Sequence, residues 1–433
     1  MMKGLTHHHL GKESVSLRIL HTSDWHLGRS LEGHGRQSEQ EQFIVEICDI
    51  AARNDVHLIL IAGDIFDTYN PPAWAEQLFC DALDRLAQGG RRGVAVIAGN
   101  HDSPDRLSAV RPLALNQGIV ILGRPLEDGV SSGRPNGPDR VRTLASGQGW
   151  VELAIPHCDH AAVLSLLPYP SESRLGRLLS DQLEERSLRD AYSQVVSEIL
   201  VRQATNYRAD TVNLAVSHLF VQGGSASDSE RPIEVGGACT VAIDHLPAAA
   251  QYIALGHLHR PQQIEQAAAP AYYSGSPLAY SFSEANQSKV VYLVDVAPGT
   301  VASVMPIPLQ AGIPLERWVC EGGLEEAWQR IEARCGKPAW VDLEVHVLKF
   351  ISNEEVARLR QAWPWLVNIR TVLPSEEIAQ RAERLANLAL PEVFDRFYRH
   401  KRGGAVPPSE LVQLFVDLAN TATMQRGERV DAE

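Results

Sequence analysis

Long apolar runs are missing from this sequence of 433 residues. No stretch reaches the roughly 18 residues that a membrane-spanning helix needs, so we expect no membrane span. The first residues carry Lys3 and three histidines but no apolar segment of the secretory type, which argues against export. Cysteine is scarce, and the six cysteines form no CxxC pair, which is typical of buried thiols in a reducing compartment. We therefore expect a cytoplasmic protein without structural disulfides.

An excess of basic residues is also missing, because the net charge is −13. Chains that bind nucleic acid unaided are usually basic on at least one face. The charge does not exclude DNA, but it favours a partner that supplies much of the affinity. A Walker A sequence is missing as well, since neither Gly11-Lys12 nor Gly336-Lys337 is preceded by the required glycine. Any ATP dependence must therefore come from another chain.

The length and composition that are present indicate a globular protein of several domains. Apolar residues make up 44% and charged residues 21%, which is ordinary for a soluble fold. A chain of this length exceeds what one hydrophobic core usually supports. We expect a flexible extension, a main α/β domain, a small α+β domain and a helical region at residues 1–16, 17–285, 286–374 and 375–433.

Strands and helices alternate in the first part of the chain. Five apolar runs predict buried strands at Leu17 to Leu20, Leu58 to Ala62, Val94 to Ala98, Val212 to Val216 and Tyr252 to Leu255. Helical patterns at 37–53 and from Pro72 to Gln88 separate the first three runs. This alternation predicts an α/β domain with largely parallel strands and with ligands at their carboxyl ends.

The second part of the chain begins with a predicted hairpin at 290–296 and 301–307. Helix and strand patterns then alternate at 324–335, 340–347, 353–363 and 366–372. Ser352 and Glu355 are spaced for a capping box at the start of the helix at 353. These features predict a small α+β domain.

Helical and polar segments complete the pattern. A long helix is predicted at about 183–203, and the residues from 375 onward show only helical periodicity, including an amphipathic helix at 408–419. The segment 123–149 is rich in Gly, Pro, Ser and Asp and predicts an irregular loop or hairpin. A second polar loop is predicted at 223–237.

Polar side chains follow each of the five predicted strands. They lie in the segments Asp24-Trp25-His26, Gly63-Asp64, Gly99-Asn100-His101-Asp102, Ser217-His218 and Gly256-His257-Leu258-His259. The carboxyl ends of parallel strands meet at one edge, so these side chains can converge. The preceding glycines allow sharp turns at Asp64, Asn100 and His257. Asp24 and His26 are two residues apart, which predicts one shared face if the segment is extended.

The donor types indicate a divalent metal site. Aspartate, asparagine and histidine without thiolate suit Mn²⁺, Fe²⁺, Mg²⁺ or Zn²⁺. The seven candidate ligands, too many for one ion, are Asp24, His26, Asp64, Asn100, His218, His257 and His259. Two ions that share one carboxylate would use them all, and ions ~3.5 to 4 Å apart are standard for displacement at phosphorus. Each motif alone arises often by chance, whereas this ordered set does not.

The motifs resemble those of the calcineurin-like metallophosphoesterases, whose pattern is D-x-H, GD-x-x-D, GNH[DE], a lone His and GH-x-H. Within this family the chain is similar to bacterial nuclease subunits that act on DNA ends. The similarity lies in HTSDWHLG at 21–28, LIAGDIFDTYNPP at 60–72, IAGNHDSPDRL at 97–107, YIALGHLHRPQ at 252–262 and YSGSPLAYSF at 273–282. The resemblance implies two sheets flanked by helices, then a small α+β capping domain and C-terminal helices.

The resemblance also implies roles for the site residues. It implies one ion on Asp24, His26, Asp64 and His259, and a second on Asp64, Asn100, His218 and His257. His101 would face the substrate and either stabilise developing charge or protonate the leaving 3′ oxygen, and Asp102 could orient its ring. For Asp67, a structural role next to the ligands and a catalytic role are both possible. The nucleophile would be a water molecule activated by the ions.

The implied activity is that of a two-metal DNA nuclease, most simply with Mn²⁺, in end processing, repair, recombination and replication. It would be a 3′ to 5′ exonuclease on duplex ends and an endonuclease on single strands or hairpins, in a nucleoid-associated protein. The implied partner is a coiled-coil ATPase that docks on the C-terminal helices, within a heterotetramer that contains a dimer of this chain. The alternative is that the C-terminal helices pack on their own domain and bind no partner. Candidate DNA contacts, or else ordinary surface residues, are Arg29, Arg36, Arg106 and Arg260.

Two other functions remain open from the sequence. A phosphodiesterase for small molecules would have the same ligands, although it would not need the additional domain and helices. A DNA-end scaffold without turnover would keep the fold, although a degenerate site would normally have lost a ligand. Cleavage assays on DNA and on a small diester distinguish these alternatives.

Overall fold

A computed structural model describes residues 16–128, 139–175, 185–230, 239–334, 336–373, 388–401 and 406–430. The chain divides into two compact units. The first consists of Met1–Arg317 with Pro338–Val341, and the second of Trp318–Lys337 with Asp342–Glu433. The extension expected at 1–16 lies, except for Ser16, outside the described residues.

The first unit contains a six-stranded sheet in the order β15-β14-β1-β2-β3-β4. Its strands are β1 Leu17–Thr22, β2 Leu58–Ile61, β3 Gly93–Ile97, β4 Ile119–Leu122, β14 Val290–Val296 and β15 Ser303–Pro308. Strands β1 to β4 are parallel, and the register pairs Thr22 with Ile61 and Ile61 with Val96. The chain therefore leaves β1, β2 and β3 at one edge of the sheet.

A second, seven-stranded sheet has the order β12-β13-β11-β8-β7-β6-β5. Its strands are β5 Arg142–Gly147, β6 Trp150–Ala154, β7 Ala161–Leu167, β8 Val212–His218, β11 Tyr252–Gly256, β12 Gln262–Gln263 and β13 Ala271–Tyr273. Strands β7, β8, β11 and β13 are parallel, and the register sets His218 beside Gly256. The short strands β9 Phe220–Val221 and β10 Thr240–Val241 pair separately.

The two sheets face each other across a shared apolar core. Leu58 and Ile97 of the first sheet lie in one buried cluster with Leu164 and Leu214 of the second. Helices α1 Gln37–Arg53 and α2 Ala73–Ala87 cover the other face of the first sheet, and α6 Glu185–Ala204 covers the other face of the second. The short helices are α3 Pro104–Ala109, α4 Arg111–Ala114 and α5 Glu172–Leu175. The expected α/β sandwich of two sheets flanked by helices is confirmed.

Residues 315–372 have the α+β character predicted for this part of the chain. Strands β16 Leu315–Cys320, β17 Trp340–His346 and β18 Leu366–Val372 form a three-stranded sheet, with helices α7 Gly323–Ala333 and α8 Asn353–Ala362. The capping box is confirmed, because Ser352 Oγ accepts from the Glu355 N–H and the Glu355 carboxylate accepts from the Ser352 N–H. Two further helices are α9 Leu390–Lys401 and α10 Ser409–Val430.

The structure differs from the sequence analysis at the hairpin that follows residue 285. The hairpin β14–β15 extends the first sheet, with Leu293 opposite Leu20, so the first unit continues beyond the boundary expected at 285. The hairpin alternative predicted for the segment 123–149 is confirmed, because β5 within it pairs antiparallel with the next strand, β6. Strand β5 is an edge strand with partly exposed side chains, which explains its weak apolar signal. Among the described residues, no helix is long and apolar enough to cross a membrane.

Buried Arg92, which directly precedes β3, forms hydrogen bonds to helices α1 and α2. The Arg92 guanidinium is 5% exposed and donates to the carbonyls of Val56 at 2.7 Å, Leu86 at 2.9 Å and Ala51 at 3.2 Å. Two of these carbonyls belong to the last turns of α1 and α2, where a positive charge is favourable. Arg92 therefore satisfies polar groups that no solvent reaches.

We expect Arg92→Ala to lower the free energy of unfolding by about 3 kcal/mol. The buried carbonyls of Val56 and Leu86 lose the guanidinium donor, and the Ala51 carbonyl loses one of its two donors. Chemical denaturation of the purified chain measures this. The matched control is Arg91→Ala at the neighbouring exposed position, expected within about 0.5 kcal/mol of the parent. Equal losses in the two variants would contradict this account of Arg92.

Candidate metal centre

The segments that follow β1 and β2 are held together by main-chain hydrogen bonds. The Asp24 N–H donates to the Gly63 carbonyl at 2.9 Å, and the His26 N–H donates to the Asp64 carbonyl at 3.0 Å. The second sheet joins the same place, because the His218 ring contacts the Ala62 carbonyl at 2.8 Å. Motifs that are far apart in sequence thus meet where the strands end.

The backbone at these motifs is left-handed rather than extended. Asp24 has φ 53°, His26 has φ 46°, Asp64 has φ 49° and His257 has φ 109°. The expectation that Asp24 and His26 share a face through strand alternation is therefore wrong in its cause. L-residues with side chains adopt this region at a cost of roughly 1 to 3 kcal/mol each, and such strain clusters at functional sites.

Two glycines allow the motifs to approach this closely. Gly63 has φ 92°, and a Cβ there would collide with His218 Nδ1. A Cβ at Gly99 would collide with the Asp64 carboxylate. Gly63 therefore supplies both the turn and the space, whereas Gly99 supplies the space alone.

The Asp64 carboxylate lies at the middle of the cluster. Its Oδ2 is 3.7 Å from His26 Nε2, 3.6 Å from His218 Nε2 and 3.9 Å from His101 Nε2. These separations are too long for hydrogen bonds. They match two ligands of one ion, which lie roughly 3 to 4 Å apart when each is about 2.1 Å from the metal.

Asn100 contributes an oxygen to a second group of donors. Its Oδ1 is 2.9 Å from His218 Nε2 and 3.0 Å from His257 Nδ1. His218 Nδ1 carries the proton that it donates to Ala62, which leaves a lone pair on Nε2. The Asn100 oxygen and the His218 nitrogen thus face each other as two acceptors, which a cation between them would stabilise.

His26 shows the same excess of lone pairs. Its Nε2 is 3.0 Å from His259 Nε2, while its Nδ1 is buried without a hydrogen-bond partner among the described residues. One proton on an Nε2 atom would satisfy this contact as an N–H···N hydrogen bond. A metal ion between the rings would instead bind the Nε2 lone pairs of both.

The donor set fits divalent metal ions. Three groups could each hold one, with ligand atoms within 4.8 Å of one another: Asp24, His26 and His259; His26, Asp64 and His101; and Asp24, Asp64 and His218. His257 and Asn100 join the cluster through the contact just described. The structure brings all seven predicted ligands together, with His101 beside them.

Burial sets the protonation of these groups. Burial lowers the pKa of His26 and His218, and it lowers the pKa of His257 to about 3. The rings are therefore neutral at neutral pH, as metal ligands must be. Burial, together with the charge of Asp64, raises the pKa of Asp24 well above its usual range. A cation would stabilise both carboxylates in their charged form.

His101 is oriented by a different residue from the one expected. Its Nδ1 lies 2.6 Å from the main-chain carbonyl of Asp67, which leaves Nε2 pointing toward Asp64. The Asp102 carboxylate instead accepts from the N–H groups of Ile65, Phe66 and Gly99 at 2.8 to 3.1 Å. Asp102 thus joins two motif segments, and the carbonyl of Asp67 holds the ring.

The four candidate DNA-binding arginines lie in different environments. Arg36 is 2% exposed and forms a bidentate pair with Glu39, so both alternatives predicted for it, a DNA contact and a surface residue, are wrong. Arg106 is bound to Glu76 and Arg260 is exposed. Arg29 lies next to the cluster, 3.7 Å from Asp67 Oδ1.

Three polar residues around His259 were not found from the sequence. Ser229, Glu284 and Lys289 form a buried chain of contacts behind its ring. They carry no motif, and the contacts in this chain join residues 5 to 55 positions apart in sequence, so no local pattern links them.

Comparison with known proteins agrees with this geometry. The family model described as calcineurin-like phosphoesterase matches residues 17–261, and that described as type 5 capsule protein repressor C-terminal domain matches residues 312–402. The first match covers more than half of the chain and contains the whole donor cluster. The chain is a calcineurin-like phosphoesterase, a metal-dependent hydrolase of phosphoric esters.

Curated relatives refine this class. The SbcD subunit of the nuclease SbcCD from Bacillus subtilis is 43% identical, over 93% of this chain and 98% of the relative. The SbcD subunits from Rhodobacter capsulatus and Escherichia coli K12 are 33% and 30% identical, over 71% and 88% of this chain and 72% and 92% of their own length. The chain therefore belongs to the SbcD family of nuclease subunits, which confirms the resemblance.

We expect Asp102→Ala to lower the free energy of unfolding by at least about 3 kcal/mol, because three buried N–H groups lose their acceptor. Thermal and denaturant unfolding without added metal measure this. Asp105→Ala is the control: that side chain is 80% exposed and pairs with Arg124, and we expect a change below about 1 kcal/mol. An Asp102→Ala chain as stable as the control would contradict the proposed bracing role.

Proposed function

We propose that this chain is a two-metal DNA nuclease subunit of the SbcCD type. It hydrolyses phosphodiester bonds as a 3′ to 5′ exonuclease on duplex ends and as an endonuclease on single strands or hairpins. The observation that carries the proposal is the group of three ring nitrogens around Asp64 Oδ2 at 3.6 to 3.9 Å, in a buried cluster with too few protons. Such a cluster suits metal-assisted displacement at phosphorus.

The ligand assignment is the one that the family resemblance implies. One ion would be held by Asp24, His26, Asp64 and His259, and the other by Asp64, Asn100, His218 and His257. The closeness of Asp24, His26 and His259 supports the first set, and the contacts of Asn100 Oδ1 with His218 and His257 support the second. Manganese is the expected metal, with Mg²⁺ or Fe²⁺ as alternatives of similar ligand preference. When bound, the ions supply Lewis acidity and an activated water for attack on phosphorus.

Charge supports binding of an anionic diester. Asp24 and Asp64 contribute −2 and two divalent ions would contribute +4, so the loaded pocket has a net charge of about +2 within a protein of net charge −13. The rings of His26, His218 and His257 add no charge, because burial lowers their pKa and keeps them neutral. A phosphodiester is therefore attracted locally despite the acidic surface.

His101 is the residue we assign to the substrate. Its ring is fixed by the Asp67 carbonyl, and its Nε2 lies at the edge of the cluster, 3.9 Å from Asp64 Oδ2. From that position an imidazolium can protonate the leaving 3′ oxygen, or stabilise charge on the phosphoryl oxygens. A small diester with a good leaving group depends less on protonation of that group. Comparing its hydrolysis with DNA cleavage therefore distinguishes general-acid catalysis from charge stabilisation.

The apolar helices of the second unit favour a macromolecular partner. Leu390, Phe397, Leu414 and Leu418 on α9 and α10 are 42 to 62% exposed, although the rings of Phe394 and Phe415 stack between these helices with centroids 4.5 Å apart. We assign this surface to an SbcC-type coiled-coil ATPase, which would supply ATP dependence and DNA affinity. A dimer of this chain within a heterotetramer, and association with the cytoplasmic nucleoid, belong to the same proposal.

The domain assignment follows from these roles. We propose a nuclease domain from residue 17 that includes β14 and β15, followed by an α+β capping domain and a helical partner-binding region. The pairing of β14 with β1 supports placing the hairpin in the nuclease domain. The helical region is the part expected to bind the ATPase.

We expect His101→Ala to slow shortening of 3′-end-labelled duplex DNA in Mn²⁺ by roughly 10² to 10⁴-fold, the usual contribution of a general acid. Hydrolysis of bis-p-nitrophenyl phosphate, whose leaving group needs no proton, should fall less. EDTA should abolish both activities in the parent. Gel analysis of labelled DNA and absorbance of nitrophenolate provide the measurements.

The control for this experiment is His346→Ala, because His346 contacts Glu344 in the second unit and lies outside the cluster. It should retain parental rates. Cleavage of the small diester alone would favour the small-molecule phosphodiesterase, unless an added SbcC-type partner restores DNA cleavage. Loss of both activities to the same extent in His101→Ala would exclude the general-acid role and leave charge stabilisation.

A further inference from the structure

The ring of His259 is held from behind by a chain of buried polar groups. Ser229 Oγ contacts His259 Nδ1 in a short hydrogen bond and donates to Glu284 Oε1 at 2.5 Å. The Lys289 ammonium donates to the other oxygen, Glu284 Oε2, at short range. The chain thus runs from an ammonium through a carboxylate and a hydroxyl to an imidazole.

These groups lie far from solvent. Glu284 is 0% exposed, Ser229 7% and Lys289 8%. A buried ion pair offsets its desolvation cost only when further hydrogen bonds satisfy it. Lys289 Nζ meets this condition, because it also donates to Ser276 Oγ and to the carbonyl of His259, both at 3.0 Å. The ion pair therefore contacts the backbone of the histidine as well as its ring.

The loop that contains Ser229 contacts His259 a second time. The His259 N–H donates to Glu230 Oε1 at 2.7 Å, and Ser227 donates through its N–H and its hydroxyl to Glu230 Oε2 at 2.7 and 2.8 Å. The Ser229 carbonyl accepts from Arg29 Nη2 at 2.8 Å, which anchors the loop beside β1. The ring, the N–H and the carbonyl of His259 are all fixed.

We propose that Ser229, Glu284 and Lys289 form a positioning relay for His259. Nδ1–H donates to Ser229 Oγ, and the Ser229 O–H donates to the Glu284 carboxylate, so that Nε2 keeps its lone pair and faces the cluster. A carboxylate behind a ligating histidine commonly fixes its tautomer and raises its basicity. In this chain a serine stands between the two and transmits the effect.

The relay acts on one ion only. This inference rests on the proposed function, in which His259 holds an ion with Asp24, His26 and Asp64 and does not contact the other ion. Weakening the relay should therefore lower the affinity of one Mn²⁺ site and spare the second. A general loss of folding would instead weaken both sites.

Titration of the metal-free full chain with Mn²⁺, followed by the electron paramagnetic resonance signal of free Mn²⁺, tests the relay. We expect Ser229→Ala to weaken one of two sites by roughly 10 to 100-fold, the usual effect of removing such a partner. Ser229→Thr retains the hydroxyl and should restore binding, and Ser229→Cys, a weaker donor, should fall between. The matched control is Ser303→Ala, because Ser303 is exposed at the start of β15 and lies outside the relay.

Unfolding of each variant without metal serves as the check on folding. If Ser229→Ala does not fold, Ser229→Cys decides the question. Parental affinity in both variants, or equal weakening of both sites, would overturn the relay and leave the ligand assignment standing. A parent chain that binds fewer than two Mn²⁺ ions in the cluster would overturn the ligand assignment and the relay together.

Discussion

Around the Asp64 carboxylate, lone pairs from two sheets face one another among largely buried side chains. Asn100 Oδ1 meets His218 Nε2 at 2.9 Å, and the Nε2 atoms of His26 and His259 meet at 3.0 Å. Such contacts are unfavourable unless a proton or a cation lies between the two atoms, and burial lowers the pKa of His26 and His218. The position of every other part of the site follows from the need to bring these atoms together.

Many main-chain hydrogen bonds stabilise the strained backbone of this cluster. Asp24, His26, Asp64 and His257 occupy left-handed backbone conformations that would relax in an isolated loop. Hydrogen bonds between the segments after β1 and β2, and the three N–H groups bound by Asp102, hold them in place. The apolar core between the sheets fixes the strands from which these segments start.

Most residues of the metal centre could be predicted, because they lie in short sequence motifs. Each motif directly follows an apolar strand, and parallel strands bring their carboxyl ends to one edge. The left-handed geometry of Asp24 and His26 could not be predicted, since strand alternation does not extend past the last paired residue. The role of Asp67 was also hidden, because its main-chain carbonyl, not its side chain, orients His101. No sequence motif records a carbonyl contact of this kind.

The positions of two strands could not be predicted from the sequence, because a distant partner in one case and exposure in the other leave no local signal. Strand β14 pairs with β1 across more than 250 residues, and β5 is a partly exposed edge strand, so the local sequence indicated the position of neither strand in its sheet.

The most direct test of the account is a crystal structure of the chain grown with Mn²⁺, with anomalous diffraction data. The account predicts two peaks about 3.5 to 4 Å apart on either side of the Asp64 carboxylate. A single peak, or peaks away from Asp64, would contradict it.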